Sequence, residues 1–555
     1  MPRSLPLLAL IVLAPALHAQ GAGPVHNAVT FLTPADAVEG GGAYPLAVGG
    51  AGSDRVFAVT IGPAGSTYVV GDFTGTFDFD PGPATVPATS EGGNDLFFAS
   101  YAPDGAFRFG YVVGSALNES GTSVAIANGV AYVGGNFNGT VNFGSPAGTI
   151  TSRGSLDGFV LAFNGTTGAL VWASSFGGSL ADGNPQITAG GGRVFAVARF
   201  IGPADFDDGP GSAVLNSVDS YDVAVASFAA SNGAHQWSRV VFGGAGQQFE
   251  GGADVGDGTV VYAAANSPNN RNGLLGAYAA ADGAVVFETP VADASPYDVE
   301  TSGSRVVVAG ASQPATGGSN LFLAAYEPSG VLAWGHAFGG PGFDQAAGVD
   351  FVGPDVFVGG HFEGTVDFDP GAGSAARTSA GGSDAFVARY SLGDGAFLSA
   401  ETFGSTGADQ VLGVDGGTAS GPVAGFFQGT VDLNPSPGQT ELRTASGPSD
   451  GFVSLYTPGA TPDEPGAGVT PLTLDASPNP AFGTTTVNLT LDRAQAVTVA
   501  VFDALGRQLA VLHHGELVSG EHAFRLDTGR LPAGVYVVRA AGETAVQTER
   551  VTVVR

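Results

Sequence analysis

Apolar and polar residues alternate with a period of two in short runs that return along most of the chain. Examples are NDLFFASY from Asn94, DGFVLAF from Asp157, YDVAVASF from Tyr221, NLFLAAY from Asn320, DAFVARY from Asp384 and DGFVSLY from Asp450. Rich in β-branched and aromatic residues and bounded by Gly, Asp and Asn, such runs predict antiparallel strands. A glycine-rich strand comes before them, as in VVGDF ending at Phe73, VGGNF at Phe137, AVARF at Phe200, VFVGGHF at Phe362 and PVAGFF at Phe427. Two degenerate copies, VVYAAAN ending at Asn266 and VVVAGAS ending at Ser312, bring the equivalent positions to seven, spaced by 64, 63, 66, 46, 50 and 65 residues. A Gly-containing turn and a further strand follow, as in GALVWASSFGG from Gly168, GAHQWSRVVFGG from Gly233 and GVLAWGHAFGG from Gly330. Seven units of four strands result.

The ends of this array are complementary. The seventh unit stops after DGFVSLYTPG, whereas AYPLAVGGAGSD, Ala43 to Asp54, supplies the missing strand and turn ahead of the first full unit. Unpaired strand edges invite pairing with other chains, and a ring whose last blade is completed by the N-terminal strand removes them. The pattern therefore predicts an all-β fold, a seven-bladed β-propeller over residues 28–460 closed by an N-terminal strand. A β-solenoid would have shorter repeats. TPDEPGAG, residues 461–468, is a Pro/Gly linker, and the well-alternating strands of residues 469–555 predict a small immunoglobulin-like β-sandwich.

Composition narrows the partners. The chain has 555 residues, 90 of them Gly, and a net charge of −31. Turn-dense β structure accounts for the glycine excess, because no Gly-X-Y period is present. All 19 basic residues are arginine, and nucleic acid or an anionic membrane surface, which both reward clustered positive charge, are poor partners. The opening MPRSLPLLALIVLAPALHAQ has an arginine at Arg3, an apolar stretch from Leu5 to Leu17 and Ala19, as a secretory signal peptide over residues 1–19 would. No later segment has the length of a membrane helix. Cys is absent, so neither disulfides nor a thiol nucleophile exist.

Two resemblances follow from motifs. DAFVARYSLGDG followed by FGSTGADQVLGVD resembles the bacterial β-propeller repeats called SBBP repeats, which implies a propeller and an extracellular habit but brings no catalytic residues. The C-terminal region resembles the type A sorting domain of the type IX secretion system. The matching residues are Ser477-Pro478-Asn479-Pro480, the turn from Phe502 to Arg507, Gly520 before His522, Gly534-Val535-Tyr536 and a basic final strand, with arginine where lysine is frequent. That resemblance makes Pro478, Asn479, Pro480, Gly534 and Tyr536 part of a sorting signal. It implies passage through the secretion machinery, removal of the tail, and release or attachment at the outer-membrane surface of a Gram-negative bacterium.

Candidate chemistry in the propeller is acidic. Close copies of one turn, GTFDFDPG at Gly75 and GTVDFDPG at Gly364, carry Asp78 with Asp80 and Asp367 with Asp369; Asp205 and Asp207 occupy the same phase in the third unit, and Asp432 with Asn434 in the seventh. Such carboxylates offer calcium hard oxygen ligands, though one turn supplies fewer than the six to eight that calcium takes. Capping of backbone N–H groups is the commoner task of Asp-x-Asp at a turn. Two further sets, Asp157, Asp222, Asp384 and Asp450, and Asp54, Asp182, Asp344 and Asp409, repeat in phase, which suits a structural role. Trp172, Trp237 and Trp334 share a phase, with Phe109 and Phe287 as substitutes, and are expected to pack between blades. Nucleophile-elbow, phosphate-loop and sialidase Asp-box motifs are absent, and the eight His show no metal-ligand spacing. The chain therefore reads as a secreted or surface-displayed binding or scaffold module for a protein, polysaccharide or envelope ligand. The alternative is a propeller hydrolase or lyase that acts on extracellular polysaccharide at its central channel.

Overall fold

The computed structural model describes residues 29–32, 44–82, 85–242, 249–267, 272–312, 318–417, 420–434, 440–456, 472–491, 495–502, 507–518, 520–541 and 546–554. The signal peptide at 1–19 and the linker at 461–468 lie outside the described residues. The chain divides into two compact units, Met1–Pro462 and Asp463–Arg555. Among the described residues the architecture is all-β, the only helical turns being the three-residue 3₁₀ turns Pro63–Gly65 and Thr528–Arg530.

Antiparallel meanders build the first unit. Seven strands open them: β1 (Arg55–Ile61), β2 (Ser120–Ala127), β3 (Gly183–Gly190), β4 (Phe249–Asp254), β5 (Ala294–Thr301), β6 (Gln345–Val352) and β7 (Gln410–Val414). In the sixth, β6 pairs with Asp355–Asp367, which pairs with Ala376–Ser391, which pairs with Phe397–Phe403. In the seventh, β7 leads to Gly421–Phe427 and Asp450–Tyr456, and the fourth strand is Leu46–Gly50, with Leu46 opposite Val453 and Val48 opposite Gly451. Arg443 adds a bond to the Pro45 carbonyl at 3.3 Å, across 398 residues of chain. Each of β1 to β6 touches the next in sequence, and β7 touches β1.

Stacking of one sheet on another explains a departure from simple alternation. Thr67–Phe73 and Asp95–Tyr101, middle strands of the first sheet, are buried at every position, as expected of strands covered on both faces. Full burial lapses in β1, which faces the central space: Val56 and Val59 are buried and its other residues only half-buried. The motif phenylalanines Phe73, Phe137, Phe200, Phe362 and Phe427 are all fully buried.

Two features were not foreseen. Val29–Leu32 adds a fifth strand to the first sheet, antiparallel to Phe107–Val113, with Phe31 stacked on Phe109. The acidic turns also sit at the tips of two-stranded ribbons, held by threonine pairs such as Thr365 with Thr378 at 2.8 Å. Ribbons reach across to the preceding sheet: Gly50 of the seventh sheet pairs with Phe77 of the first ribbon, and Gly178 of the second sheet with Ala204 of the third. Among the described residues the fourth and fifth units have no ribbon, which accounts for their shorter spacing.

The second unit holds seven strands. Leu472–Phe482, Thr484–Leu491 and Gly520–Asp527 form one antiparallel set; Gln495–Phe502, Gln508–Leu517, Gly534–Ala541 and Val546–Val553 form the other. Ala481 joins the sets by pairing in parallel with Val553. Apolar side chains of both sets, including Val487, Leu489, Val499, Val538 and Val551, share one core.

Candidate functional site

The acidic turns cap the backbone. Asp367 Oδ1 accepts the N–H groups of Asp369 at 3.1 Å and Ala375 at 2.7 Å, and Asp369 Oδ1 accepts that of Gly371 at 2.8 Å. Asp78 and Asp80 do the same with Asp80 N, Val86 N and Gly82 N, and Asp205 and Asp207 with Asp207 N, Ala213 N and Gly209 N. Slight burial pushes the Asp205 carboxyl up, but the Ala213 and Asp207 N–H groups outweigh it and hold the group below its ordinary value. Between the two acids, Phe79, Phe206 and Phe368 point into the core, fully buried. Among the described residues no three His, Asp or Glu side chains converge as a metal site, so calcium at these turns would draw further ligands from main-chain oxygens or water.

The aspartates after the Gly-Gly turns tie one sheet to the next. Asp182 accepts from Gly178 N at 2.6 Å and Ile201 N at 2.8 Å; Asp54, Asp344 and Asp409 repeat both bonds with Gly50 and Thr74, Gly340 and Glu363, and Ser405 and Gln428. Glu119 holds this place in the second sequence repeat, bonded to the Ser115 hydroxyl at 2.7 Å, and sequence reasoning missed it. The other set, Asp157, Asp222, Asp384 and Asp450, caps the N–H four residues upstream in each case. Burial pushes Asp54 and Glu119 up to about 7 and Asp157 up to about 6. The tryptophans bridge neighbouring sheets: the indole N–H of Trp172, Trp237 and Trp334 donates to the carbonyls of Ala230, Ala280 and Leu392 at 3.0, 3.1 and 3.0 Å. Phe109 and Phe287 pack in the same way on Gly168 and Gly330.

The repeating pattern breaks in the central space. β1 to β7 surround a cavity of about 670 Å³, to which β1 to β3 contribute Phe57, Thr60, Ser123, Ile126, Gln186 and Thr188. The opposite half of the wall carries five carboxylates: Asp254, Asp298, Glu300, Asp350 and Asp415. Arg55 is the one cation among the described lining residues. Its guanidinium lies over the Phe57 ring at 4.8 Å and forks onto Asp72 at 3.2 and 3.0 Å. Asp72 also accepts from Asn94 and Ser120 at 3.0 and 3.1 Å. Asn136, Asn184 and Gln345 continue this polar end, and Tyr297 adds a second aromatic surface.

Four of the five carboxylates fasten each inner strand to the next. Asp254 of β4 accepts from Thr301 N at 3.0 Å, Asp298 of β5 from Val349 N at 2.9 Å, and Asp350 of β6 from Gly416 N at 2.7 Å. Asp415, next to the end of β7, accepts from Ile61 N of β1. The Asp350 and Asp415 carboxyl groups also share the Gly416 N–H. Burial, and then neighbouring carboxylates, push Glu300 and Asp350 well above the usual range, and burial takes Asp298 to about 7. None of these was singled out from sequence. The available signal was Gly-Val-Asp at Gly348–Asp350 and again at Gly413–Asp415, in one phase of the inner strand.

In the second unit, the sorting residues gather around the final strand. Asn479 donates to the Arg550 carbonyl at 2.5 Å and accepts from Thr552 N at 2.9 Å, so its side chain stands in for a strand partner. Gly534–Ala541 pairs with the other edge of that strand, Gly534 opposite Val553 and Tyr536 opposite Val551. Tyr536 is buried, and its hydroxyl donates to Pro532 O at 2.8 Å. Pro478 accepts from the Thr485 hydroxyl at 2.8 Å, and Pro480 leads into the crossing at Ala481.

Residues 476–554 match the family described as secretion system C-terminal sorting domain. No curated protein matches the chain. Among solved structures, the Dos1 propeller aligns at 10% identity over 74% of this chain and 95% of that one, TM-score 0.35. The β-propeller domain of the Trilobed protease from Pyrococcus furiosus aligns at 6% identity over 61% and 94%, TM-score 0.29. The computationally designed Ika8 protein aligns at 10% identity over 73% and 98%, TM-score 0.34. Similarity at this level transfers neither fold detail nor activity. No helix among the described residues is long and apolar enough to cross a membrane. The tail engages the secretion machinery, and it marks this chain as a secreted or outer-membrane cell-surface protein of Bacteroidetes-type bacteria.

Proposed function

We infer that residues 28–460 are a seven-bladed propeller closed by Leu46–Gly50, that residues 469–555 are an immunoglobulin-like sorting domain, and that the propeller is an extracellular binding module whose ligand enters the central space. The pairing of Leu46 with Val453 and the contact of β7 with β1 support closure. SBBP-type repeats agree with the DAFVARY and Gly-Gly-x-Gly phrases. The observation that carries the binding role is the asymmetric wall of the cavity of about 670 Å³, with side-chain amides and half-buried Phe57 and Tyr297 at one end and carboxylates along one side. Amides and carboxylates bond hydroxyl groups, aromatic rings cover C–H faces, and the acid excess opposes anions. A neutral saccharide end fits that chemistry.

Binding of the secreted protein to a neutral β-glucan and to polygalacturonate tests the proposal. Retention on the glucan alone, weakened by Phe57→Ala and Gln345→Ala, is expected. Equal retention on both, or none on the glucan by a folded protein, would overturn it. Release of new reducing ends would instead support the hydrolase alternative.

A further inference from the structure

We propose that the inner ring carries a proton-dependent latch, in which the carboxyl pair Asp350–Asp415, joined at the Gly416 N–H, fastens β6 to β7 and β7 to β1 while it holds a proton, and loosens that seam when the proton leaves. This inference does not depend on the identity of any ligand.

The geometry makes the pair and the seam one device. Asp350 Oδ2 and Asp415 Oδ1 both lie 2.7 Å from the same N–H, that of Gly416, so the two carboxyl groups are forced together. A hydrogen bond between them needs a proton on one, since two carboxylates have no donor. The remaining oxygens are committed to the backbone: Asp350 Oδ1 accepts from Phe351 N at 2.6 Å, and Asp415 Oδ2 accepts from Ile61 N of β1. With all four oxygens held, movement of either group must pull on β6, β7 or β1. The backbones are close at that point, for a Cβ on Gly413 would meet Phe57 O at 2.9 Å.

The surroundings set the sign. From β5 the pair is faced by Glu300, which in turn is faced by Asp298 of β5 and Asp254 of β4, all acidic. β1 brings no acid or base near this end, its Arg55 being engaged with Asp72 at the opposite end of the strand. Asp355, on the turn after β6, is paired with Arg389. No cation therefore compensates a second negative charge at the seam among the described residues. A carboxyl that binds its proton more tightly in the fold than in the unfolded chain stabilises the fold below its unfolded pKa and loses that contribution as pH rises through the folded value. The latch is closed on the acid side and weakened on the alkaline side.

Hydrogen exchange on the intact protein reads the seam directly, at the amides of Ile61 and Gly416, with Ile187 as a control because its N–H is held by the Ser123 hydroxyl at 3.0 Å. Between about pH 5.5 and about pH 8.5, corrected for intrinsic exchange, protection at Ile61 and Gly416 is expected to fall at least about tenfold, while Ile187 holds. Asp350→Asn, whose amide donates permanently to Asp415, is expected to keep both amides protected at both pH values. Equal protection of the wild-type seam at both pH values would overturn the proposal, as would a loss shared equally by Ile187. So would an undiminished pH effect in Asp350→Asn. The wild-type comparison decides the matter even where the variant does not fold.

Discussion

A Cβ on Gly404 would stand 2.4 Å from the carboxyl carbon of Asp384. The second sheet of the same unit repeats the relationship between Gly177 and Asp157, at 2.6 Å. The aspartate that caps a turn thus lies flat against the outer strand beside it, and only glycine leaves the room. Gly404→Ala is expected to destabilise the first unit by about 1–3 kcal/mol, the usual penalty for overpacking a tight core. Chemical unfolding compared with an exposed control such as Gly393→Ala checks it, and equal stability of the two would remove the steric explanation.

The raised carboxyls predict an inverted pH response. Asp54, Asp95 and Glu119 stand at about 7 and Asp157 at about 6, all through burial, against about 4 in an unfolded chain. Between those limits the folded state binds more protons than the unfolded one, so stability falls as pH rises. The melting temperature should be higher at about pH 5.5 than at about pH 8, and Glu119→Gln should flatten part of that slope. A melting temperature that rises with pH would contradict the assignment.

Calcium at the acidic turns is tested by melting the protein with calcium and with a chelator. Because Asp367 and Asp369 already cap N–H groups, unchanged midpoints are expected. A midpoint raised by calcium, and no longer raised in Asp367→Asn with Asp369→Asn, would make these turns metal sites, since a ligand of the folded state alone must stabilise it.

Trp334→Phe removes a donor from the Leu392 carbonyl while it keeps an aromatic ring. Its cost should be about 1 kcal/mol, less than Trp334→Ala at about 3–5 kcal/mol. Differential unfolding of the two variants separates the hydrogen bond from the packing; equal losses would mean that the indole N–H contributes nothing.

Asn479→Ala deletes both bonds that fix the Pro-Asn-Pro segment on the final strand. Less protein should reach the cell surface and medium, with accumulation inside the outer membrane, as fractionation would measure. Normal delivery of the variant would show that the segment is not read in this conformation.

Repetition decided what could be read from sequence. Phe362 and Asp409 announce themselves because their counterparts recur in the same phase of most repeats, where they do the same task in each sheet. Glu119 escaped notice because one extra methylene changes its name but not its task. Asp254, Asp298, Glu300, Asp350 and Asp415 escaped for a deeper reason. They come from four repeats and meet only where the inner strands converge, so their grouping is a property of that convergence and not of any local run. The same applies to Val29–Leu32, four residues whose partner at Phe107–Val113 no spacing indicates.

The pairing of Leu46 with Val453 has a kinetic consequence. A chain that emerges N-terminus first makes one strand of that sheet near the outset and must wait for nearly the whole first unit before the neighbouring strand Asp450–Tyr456 exists. Contacts between such distant residues carry a large loop-closure cost and slow folding. Gly49 and Gly50 can pair early with Asp78 and Phe77 of the first ribbon, but Leu46, Ala47 and Val48 have no partner until Gly451–Val453 are available.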